Sequence, residues 1–414
     1  MKKAIAILLV LVMSFALIAC GGDGDSGTPA NSGGTSNAPS SQAPAPSQSS
    51  APAPAAPSST GDGPVGGVDI HDVNPGGGSI GYVSDDVDHW ARAPYHIVYY
   101  NYRPTNVAFQ VLEAFEQLGE VYNFTVEQLT ANGDADVYVN SLQTILIKEP
   151  DGLIVDITME LAPRVSEICA EYDIPIVCIF NKAEDVDGVE IIPAVVTDQF
   201  YNGRTQMTYL ESVYRDYWGD IDRSKITLLI MDWSTNMDIY NRGVGALEKF
   251  EELFPGNTHY YGDTAADNLS AEAGTNVSNG ILSAHPEVEY WFIVGTVEDI
   301  TLGTARTVEN LGLEDKVLMT ASGAAILPGE WDAGYDGVWI ANYAVPPFMY
   351  AGASLFGLFA LIDGRATKDT LWPEHFLPGD KAPRYSINAE MMSRSNYKMY
   401  LSDIAAGFGV TLPA

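Results

Sequence analysis

The chain of 414 residues has few cysteines and few basic side chains, and both shortages narrow what it can be. Besides Cys20, only Cys169 and Cys178 occur, on a predicted helix and the strand after it; there we expect buried free thiols rather than a disulfide. Lys and Arg number 21 against 54 Asp and Glu, a net charge of −33. This charge argues against nucleic acid and against an anionic membrane surface as partners.

Signatures of catalysis and metal binding are also missing from the sequence. There is no GxSxG elbow, no P-loop and no HExxH, and the six histidines are scattered. The pair Gly243 and Gly245 imitates a dinucleotide fingerprint, but it lacks the third glycine and falls inside a predicted helix. We therefore expect a protein that is not an enzyme and that holds no metal and no cofactor.

The first 20 residues predict export and lipid attachment. Lys2 and Lys3 precede an apolar run over 4–18, which is shorter than the roughly 20 residues of a permanent membrane helix. Leu17-Ile18-Ala19-Cys20 resembles the bacterial lipobox, in which the cysteine becomes the lipidated first residue. We predict a signal peptide over 1–20, a lipid-anchored Cys20 and an extracytoplasmic location at the bacterial cell membrane; an ordinary secretory signal is the alternative.

Residues 21–93 are rich in Gly, Ser, Pro and Ala and hold few large apolar side chains. A segment of this composition cannot bury enough surface to offset its ordering entropy. We interpret 21–93 as a disordered tether, stiffened by the Ala-Pro pairs between 43 and 57.

From residue 94 onward, short apolar runs alternate with amphipathic ones, which is typical of βαβ units in parallel sheets. The predicted strands are 97–100, 122–126, 152–155, 174–180, 193–196, 226–231, 259–261, 290–294 and 317–320. Because the alternation runs twice, we expect two similar α/β lobes.

Polar and aromatic residues follow many of these strands. In open parallel sheets, ligands bind beyond the carboxyl ends of the strands, so these residues predict a cleft for a small polar ligand. The candidates in such loops are Tyr102, Arg103, Asp156, Asn181, Lys182, Trp233, Glu298, Ser322 and Asn342.

Seven fragments, among them "DGLIV", "IPIVCIFNK", "VVTDQFYNG", "DIYNRGVGALEKF" and "GVWIANYAVPP", resemble in order the type I periplasmic sugar-binding proteins, especially the galactose/glucose and ribose branches. The resemblance implies the periplasmic binding protein-like I fold: α/β, with two Rossmann-like lobes of parallel sheet joined by a three-stranded hinge. It implies an N-terminal lobe over 94–197 plus 343–372, a C-terminal lobe over 198–342, and a tail over 373–414 packing on the lobes.

The same resemblance suggests roles for individual residues. Asn181 matches a sugar-hydroxyl contact, Asp238 and Arg242 match a pair that grips hydroxyls from the other lobe, and Asn342 matches a hinge-side amide. Each also has a structural alternative: a strand-end turn for Asn181, a surface helix pair for Asp238 and Arg242, and a bond to the hinge backbone for Asn342.

Aromatic side chains could add stacking to these contacts. Tyr102 and Trp233 could stack on a sugar ring, although aromatic residues at strand ends more often belong to the core.

The chain departs from the family at several of the binding positions. Val297 and Ser322 replace an expected Asn and Asp, and Arg103 stands in a loop where a carboxylate was expected. These changes weaken the case for a simple hexose, and Arg103 with Lys182 could favour an anionic group on the ligand. The segment 185–188 is too short for the calcium loop of the galactose binder.

The resemblance implies the substrate-binding component of an ABC importer, closing by a hinge on a monosaccharide or sugar derivative and delivering it to a membrane permease. A sensor that presents its closed form to a membrane receptor, a binder of a nucleoside or another non-sugar ligand, and an enzyme on the same fold are the alternatives.

Overall fold

The computed structural model describes residues 67–68, 87–266, 269–387 and 389–412. The predicted signal peptide 1–20, its Cys20 and most of the tether 21–93 lie outside these residues. Within the described ranges, no helix combines the length and the apolar character needed to cross a bilayer.

Two mostly parallel sheets form the body, which confirms the predicted α/β class with two Rossmann-like lobes. The first sheet has the order β1-β12-β6-β5-β4-β2-β3 and the second β13-β11-β10-β9-β7-β8, with β13 antiparallel to β11. The strands are β1 Gly67–Val68, β2 Tyr95–Asn101, β3 Phe124–Thr130, β4 Gly152–Asp156, β5 Ile176–Ile179, β6 Ala194–Thr197, β7 Ile226–Asp232, β8 His259–Asp263, β9 Tyr290–Gly295, β10 Val317–Ser322, β11 Trp339–Ala344, β12 Arg384–Ile387 and β13 Glu390–Ser393.

Helices connect the strands and pack on the sheets. They are α1 Asn106–Tyr122, α2 Ala135–Leu146, α3 Ala162–Tyr172, α4 Gln199–Trp218, α5 Met237–Leu253, α6 Ala271–Ala284, α7 Glu298–Asn310, α8 Leu327–Asp332, α9 Pro347–Ile362 and α10 Tyr397–Gly407. Helix α9 is apolar on every side and nearly all buried, because it packs on α1, β4, β5 and β6 at once. We call each sheet with its helices a lobe.

The chain passes between the two sheets three times. It leaves the first sheet after β6, returns from β11 through α9, and crosses again between β12 and β13. These crossings lie side by side, since β6 pairs with β12 and β11 pairs with β13. In the described residues the crossings between the lobes therefore lie at one edge of the two sheets, and a cleft separates the surfaces beyond it.

One predicted strand, 122–126, was misplaced. Helix α1 continues to Tyr122, and Asn123 ends it in the left-handed conformation with φ of 53°. Strand β3 follows at Phe124. The apolar side chain of Tyr122 suggested a strand, but it is buried on the core face of the helix.

Residues just before the first lobe also pack on it. His89–Ala91 forms a 3-10 helix with His89 buried, within the range interpreted as tether. Asn123 Nδ2 donates to the carbonyls of His89 and Arg92 at 2.8 and 2.9 Å. Cys169 and Cys178 are both buried free thiols, as expected.

Glycines set the spacing of the helix pairs in the second lobe. A Cβ on Gly203 of α4 would lie 1.8 Å from the carbonyl oxygen of Arg242 on α5, and one on Gly245 of α5 would lie 2.0 Å from that of Phe200. The two backbones therefore touch directly. This contact matters for the site because α5 also carries Asp238 and Arg242.

We predict that Gly203→Ala destabilises the protein by about 1–3 kcal/mol, because the added methyl group forces the α4 and α5 backbones apart. Urea unfolding monitored by circular dichroism measures this change. Gly280→Ala is the matched control: Gly280 is an exposed helical glycine of the same lobe with no atom within 4 Å of its Cβ position. There we expect a gain of up to about 1 kcal/mol. Equal stability of the two variants would contradict the close-contact explanation.

Candidate functional site

A cavity of about 440 Å³ lies between the lobes, at the carboxyl ends of the strands of both sheets. Its size falls within the roughly 300–1,000 Å³ of small-molecule sites. Nine of the eleven residues proposed from the sequence line it: Tyr102, Arg103, Asp156, Asn181, Trp233, Asp238, Arg242, Glu298 and Ser322. Lys182 and Asn342 do not line it.

Asp156 ends β4 and is the buried carboxylate of the first lobe's side of the cavity. Asn181 Nδ2 donates to its Oδ1 at 3.0 Å. Burial raises the pKa of Asp156 to about 7, and the Asn181 bond and the nearby Arg103 charge offset this only in part. With this pKa, ionised and protonated forms of Asp156 coexist near neutral pH. The ionised form accepts hydrogen bonds, and the protonated form can also donate one.

A strained turn places Asn181 beside Asp156. Phe180 has φ of 72°, and the N–H of Asn181 donates to the carbonyl of Ile179 at 2.9 Å. This is a γ-turn with positive φ, a form that is rare and costs backbone energy in a residue as bulky as Phe. Such strain concentrates at functional sites, and here it directs an amide at the cavity.

Asn181 also joins the two lobes. Its Oδ1 accepts from Nδ2 of Asn236 at 3.1 Å, while Asn236 Oδ1 caps α5 by accepting from the N–H groups of Asp238 and Ile239. A continuous hydrogen-bonded chain thus runs from the carboxylate of Asp156 to the N-terminus of α5. The side-chain amide of Asn181 thus contacts both the carboxylate of Asp156 in the first lobe and the N-cap residue Asn236 of α5 in the second.

Other bonds cross the cleft around the cavity. Asn106 Nδ2 donates to Asp299 Oδ1 at 2.7 Å, and Gln110 Nε2 donates to the carbonyl of Ala325 at 2.7 Å. The N–H of Lys182 donates to Asp238 Oδ2 at 3.3 Å, and Lys182 Nζ lies 3.9 Å from Asp238 Oδ1. Lys182 therefore does not line the cavity but pairs with Asp238 of the other lobe. Together these bonds hold the two lobes against each other.

Arg242 and Asp238 stand one turn apart at the start of α5, and the surface-pair alternative does not fit their surroundings. Asp238 is 5% exposed. Arg242 Nε donates to Oε1 of Gln199 at 2.6 Å, and its Nη1 donates to the carbonyl of Thr296. Gln199 comes directly after the first crossing between the lobes, so Arg242 is fixed both to the second sheet and to the hinge.

Glu298 and Asn342 belong to one polar network inside the second lobe. Glu298 accepts from the backbone N–H groups of Ala325, Ile326 and Leu327, and from Asn342 Nδ2 at 2.7 Å. Asn342 is fully buried and donates also to the carbonyl of Gly323. Since its partners are all internal, Asn342 supports the cavity wall from behind.

Ser322 lies at the carboxyl end of β10 and accepts from Asn202 Nδ2 at 2.7 Å. The glycine that follows it is required by its neighbours: Gly323 has φ of 138°, and a Cβ there would lie 2.5 Å from Glu298 Oε2.

Aromatic rings line the cavity from both lobes. Tyr102 comes from the first lobe and Trp233, which is 7% exposed, from the second. Phe180 and Tyr350 meet edge-on with 4.7 Å between ring centroids. Apolar faces among a few polar groups suit a ligand whose ring carries C–H faces and hydroxyl edges.

Sequence reasoning missed several lining residues, among them Gln199, Asn236, Met237 and Tyr350. Asn236 had a usable signal, because an Asn before a periodic helical segment is a typical N-cap. This capping role of Asn236 was overlooked, although Asp238 and Arg242 were considered as a helix pair. Tyr350 had no such signal, since it lies in the uniformly apolar α9.

The fold is shared with solved structures of ABC-transporter solute-binding proteins. One, from Actinobacillus succinogenes 130z with bound D-allose, has a TM-score of 0.60 at 16% identity over 74% of this chain and 100% of that chain. A second, from Bacillus halodurans C-125 with bound myo-inositol, has a TM-score of 0.58 at 15% identity over 75% and 98%. The arabinose ABC-transporter binding protein from Shewanella sp. ANA-3, bound to α- and β-L-arabinofuranose, has 0.57 at 14% over 77% and 99%.

No protein-family model matches the chain, and no curated protein sequence matches it. At such low identity the likeness shows the fold alone. It confirms the predicted periplasmic binding protein-like I fold.

The raised pKa of Asp156 predicts a pH dependence of stability. Unfolded, Asp156 loses its proton near its ordinary pKa of 3.8, whereas the folded protein keeps it until about pH 7. The free energy of unfolding should therefore fall as pH rises between these values, with up to about 1.4 kcal/mol per pH unit from this residue. Asp156→Asn removes the titration while keeping an acceptor for Asn181.

Urea unfolding of the ligand-free protein at pH 5 and pH 7.5 tests this. Burial also raises the pKa of Glu190 and Glu298 to about 7, so both lower the free energy of unfolding as pH rises. This contribution is present in every variant. The quantity to compare is therefore the difference between the native protein and each variant. Asp136→Asn, on the exposed side of α2, should keep the native slope. An unchanged slope in Asp156→Asn would show that Asp156 is ionised throughout this range.

Proposed function

We propose that this protein is the extracytoplasmic, lipid-anchored substrate-binding component of an ABC importer, and that it closes by a hinge on a monosaccharide or sugar derivative. The observation that supports this most is the cavity between the lobes, to which both contribute polar side chains from their strand ends. A ligand held there touches both lobes at once. Its binding energy therefore favours the closed arrangement over an open one.

The proposed contacts follow from the groups that face the cavity. Asp156 accepts a hydroxyl from the first-lobe side, while Asp238 and Arg242 on α5 accept from and donate to hydroxyls on the other side. Tyr102 and Trp233 offer ring faces for the apolar side of a sugar. In a closed cavity with little water, bonds to charged groups are stronger than they are in solvent.

The ligands in the similar solved structures support the same class. D-allose, myo-inositol and L-arabinofuranose are all small rings that carry several hydroxyl groups. A ring of this kind presents donors and acceptors around its edge and C–H groups on its faces. The carboxylate, amide and guanidinium groups of this cavity complement the edge of such a ring, and its aromatic groups complement the faces.

We propose that the closed form is recognised by a membrane permease, which takes the ligand from the cleft. The cross-lobe bonds of Asn181, Asn106 and Gln110 would form only when the lobes meet, so the surface presented to the permease differs between the two states. In this scheme the protein changes shape and no bond of the ligand is broken.

A thermal-shift screen against monosaccharides, disaccharides, sugar acids, polyols and nucleosides tests the ligand class. At a hundredfold excess over its dissociation constant, a bound ligand adds about 2.7 kcal/mol of stability and raises the melting temperature by several degrees. We expect a hit among the sugars or sugar derivatives, and we expect it to be lost in Asp238→Ala and Arg242→Ala.

Lys249→Ala is the control for this screen, because Lys249 pairs with Glu252 on the surface of α5, away from the cavity. It should keep the native shift. A shift with nucleosides only, or a sugar shift that survives in Asp238→Ala and Arg242→Ala, would contradict the proposal.

A further inference from the structure

The guanidinium of Arg103 is the most informative group in the cavity that the proposed sugar contacts leave unexplained. Its Nε is buried, and no described residue accepts a hydrogen bond from it. Its carbon Cζ lies 5.5 Å from the ring centroid of Tyr102 and 5.2 Å from that of Trp233, so the group stands between an aromatic ring of each lobe. A buried donor without an acceptor costs free energy, which indicates that its partner is the ligand.

Most of the acidic residues that line the cavity already have partners. Glu298 receives three backbone N–H groups and the Asn342 amide, Asp238 is bonded to Lys182, and Asp299 accepts from Asn106. Arg242, the other guanidinium, uses Nε and Nη1 on acceptors of its own lobe. Arg242 thus has two protein acceptors, whereas the buried Nε of Arg103 has none among the described residues.

Glu160 also lines the cavity but is exposed to solvent, so Asp156 is the remaining buried candidate for a counter-ion of Arg103. One of its oxygens already accepts from Asn181, and burial raises its pKa to about 7, so that much of it is protonated at neutral pH. It cannot fully balance the Arg103 charge under these conditions.

We propose that the ligand is a sugar acid and that its carboxylate binds Arg103. The inference rests on the proposed function and specifies its substrate class. The planar guanidinium presents paired N–H groups that match the two oxygens of a carboxylate. The hydroxyl edge of the same ring would then face Asp156, Asp238 and Arg242, and its apolar face would lie against Tyr102 or Trp233.

A carboxylate fits better than a phosphate because of the surrounding charge. Glu160, Asp238 and Asp299 all border the cavity, and a doubly charged phosphate would meet roughly twice the repulsion from them that a singly charged carboxylate meets. A single negative charge is balanced by one guanidinium.

Isothermal titration calorimetry at pH 7.5 with the purified protein tests the proposal. The probes are D-glucuronate against D-glucose, D-galacturonate against D-galactose, and D-glucose 6-phosphate. We expect at least one acid to bind about tenfold or more tightly than its neutral parent, as a charge-assisted bidentate bond implies. Glucose 6-phosphate should bind more weakly than that acid.

Variants assign the preference to Arg103. In Arg103→Gln the acid should lose its advantage over the neutral sugar, while the neutral sugar keeps its affinity within about threefold. Arg103→Lys, which retains the charge without the planar fork, should fall between the two. Arg164→Gln is the control: it removes an exposed arginine of the same lobe, on α3, and should leave the preference unchanged.

The outcomes separate this inference from the proposed function. Neutral sugars that bind as tightly as their acids, or a preference that survives in Arg103→Gln, would overturn the carboxylate assignment and leave a sugar-binding protein. Tighter binding of glucose 6-phosphate would overturn it in favour of a phosphate. Binding of none of these probes would remove the support for both. The comparison of acid with neutral sugar needs only the native protein, so it stands even where a variant fails to fold.

Discussion

Closing the cleft takes charged side chains of both lobes out of water, and the arrangement of the site follows from that cost. A buried ionised group is tolerated only when hydrogen bonds or opposite charges compensate it. Glu298 meets the requirement with four donors, and Asp238 with Lys182 from the facing lobe. Burial still raises the pKa of both Glu298 and Asp156 to about 7, but among the described residues the Asp156 carboxylate accepts from one partner only, Asn181. The incompletely compensated groups are those that remain available to a ligand.

The same requirement ties the site to the hinge. Arg242 reaches Gln199, directly beyond the first crossing, and Asn181 reaches Asn236, which caps the helix that carries Arg242. Helix α5 is held in turn by its glycine-mediated contact with α4. A shift of one lobe therefore moves the binding groups, the helix cap and the hinge together. Coupling of this kind follows from direct contacts and needs no long pathway.

Much of this could be predicted from the sequence, because alternating apolar runs and strand-end polar residues are local patterns. The strand predicted at 226–231 matches β7 to within one residue, and Asp156, Asn181 and Ser322 lie at strand ends as expected. What failed depended on tertiary structure. The inward side chain of Tyr350 on α9 is decided by what packs against that helix, which is apolar on every side. Lys182 and Asn342 have suitable side chains, but their partners turn them away from the cavity.

The net charge of the chain and the charge balance inside the cavity are separate properties. A net charge of −33 acts over a distance of about a Debye length and opposes the approach of any extended anion. Inside the cavity, the balance is set over a few ångströms by which donors and acceptors are already paired. There the acids are largely occupied and Arg103 is not. An acidic surface is therefore compatible with a site for a small anion, provided that the anion carries enough hydroxyl groups to use the remaining acceptors. Repulsion from the surface slows the entry of such a ligand, whereas the contacts made after closure determine how long it stays.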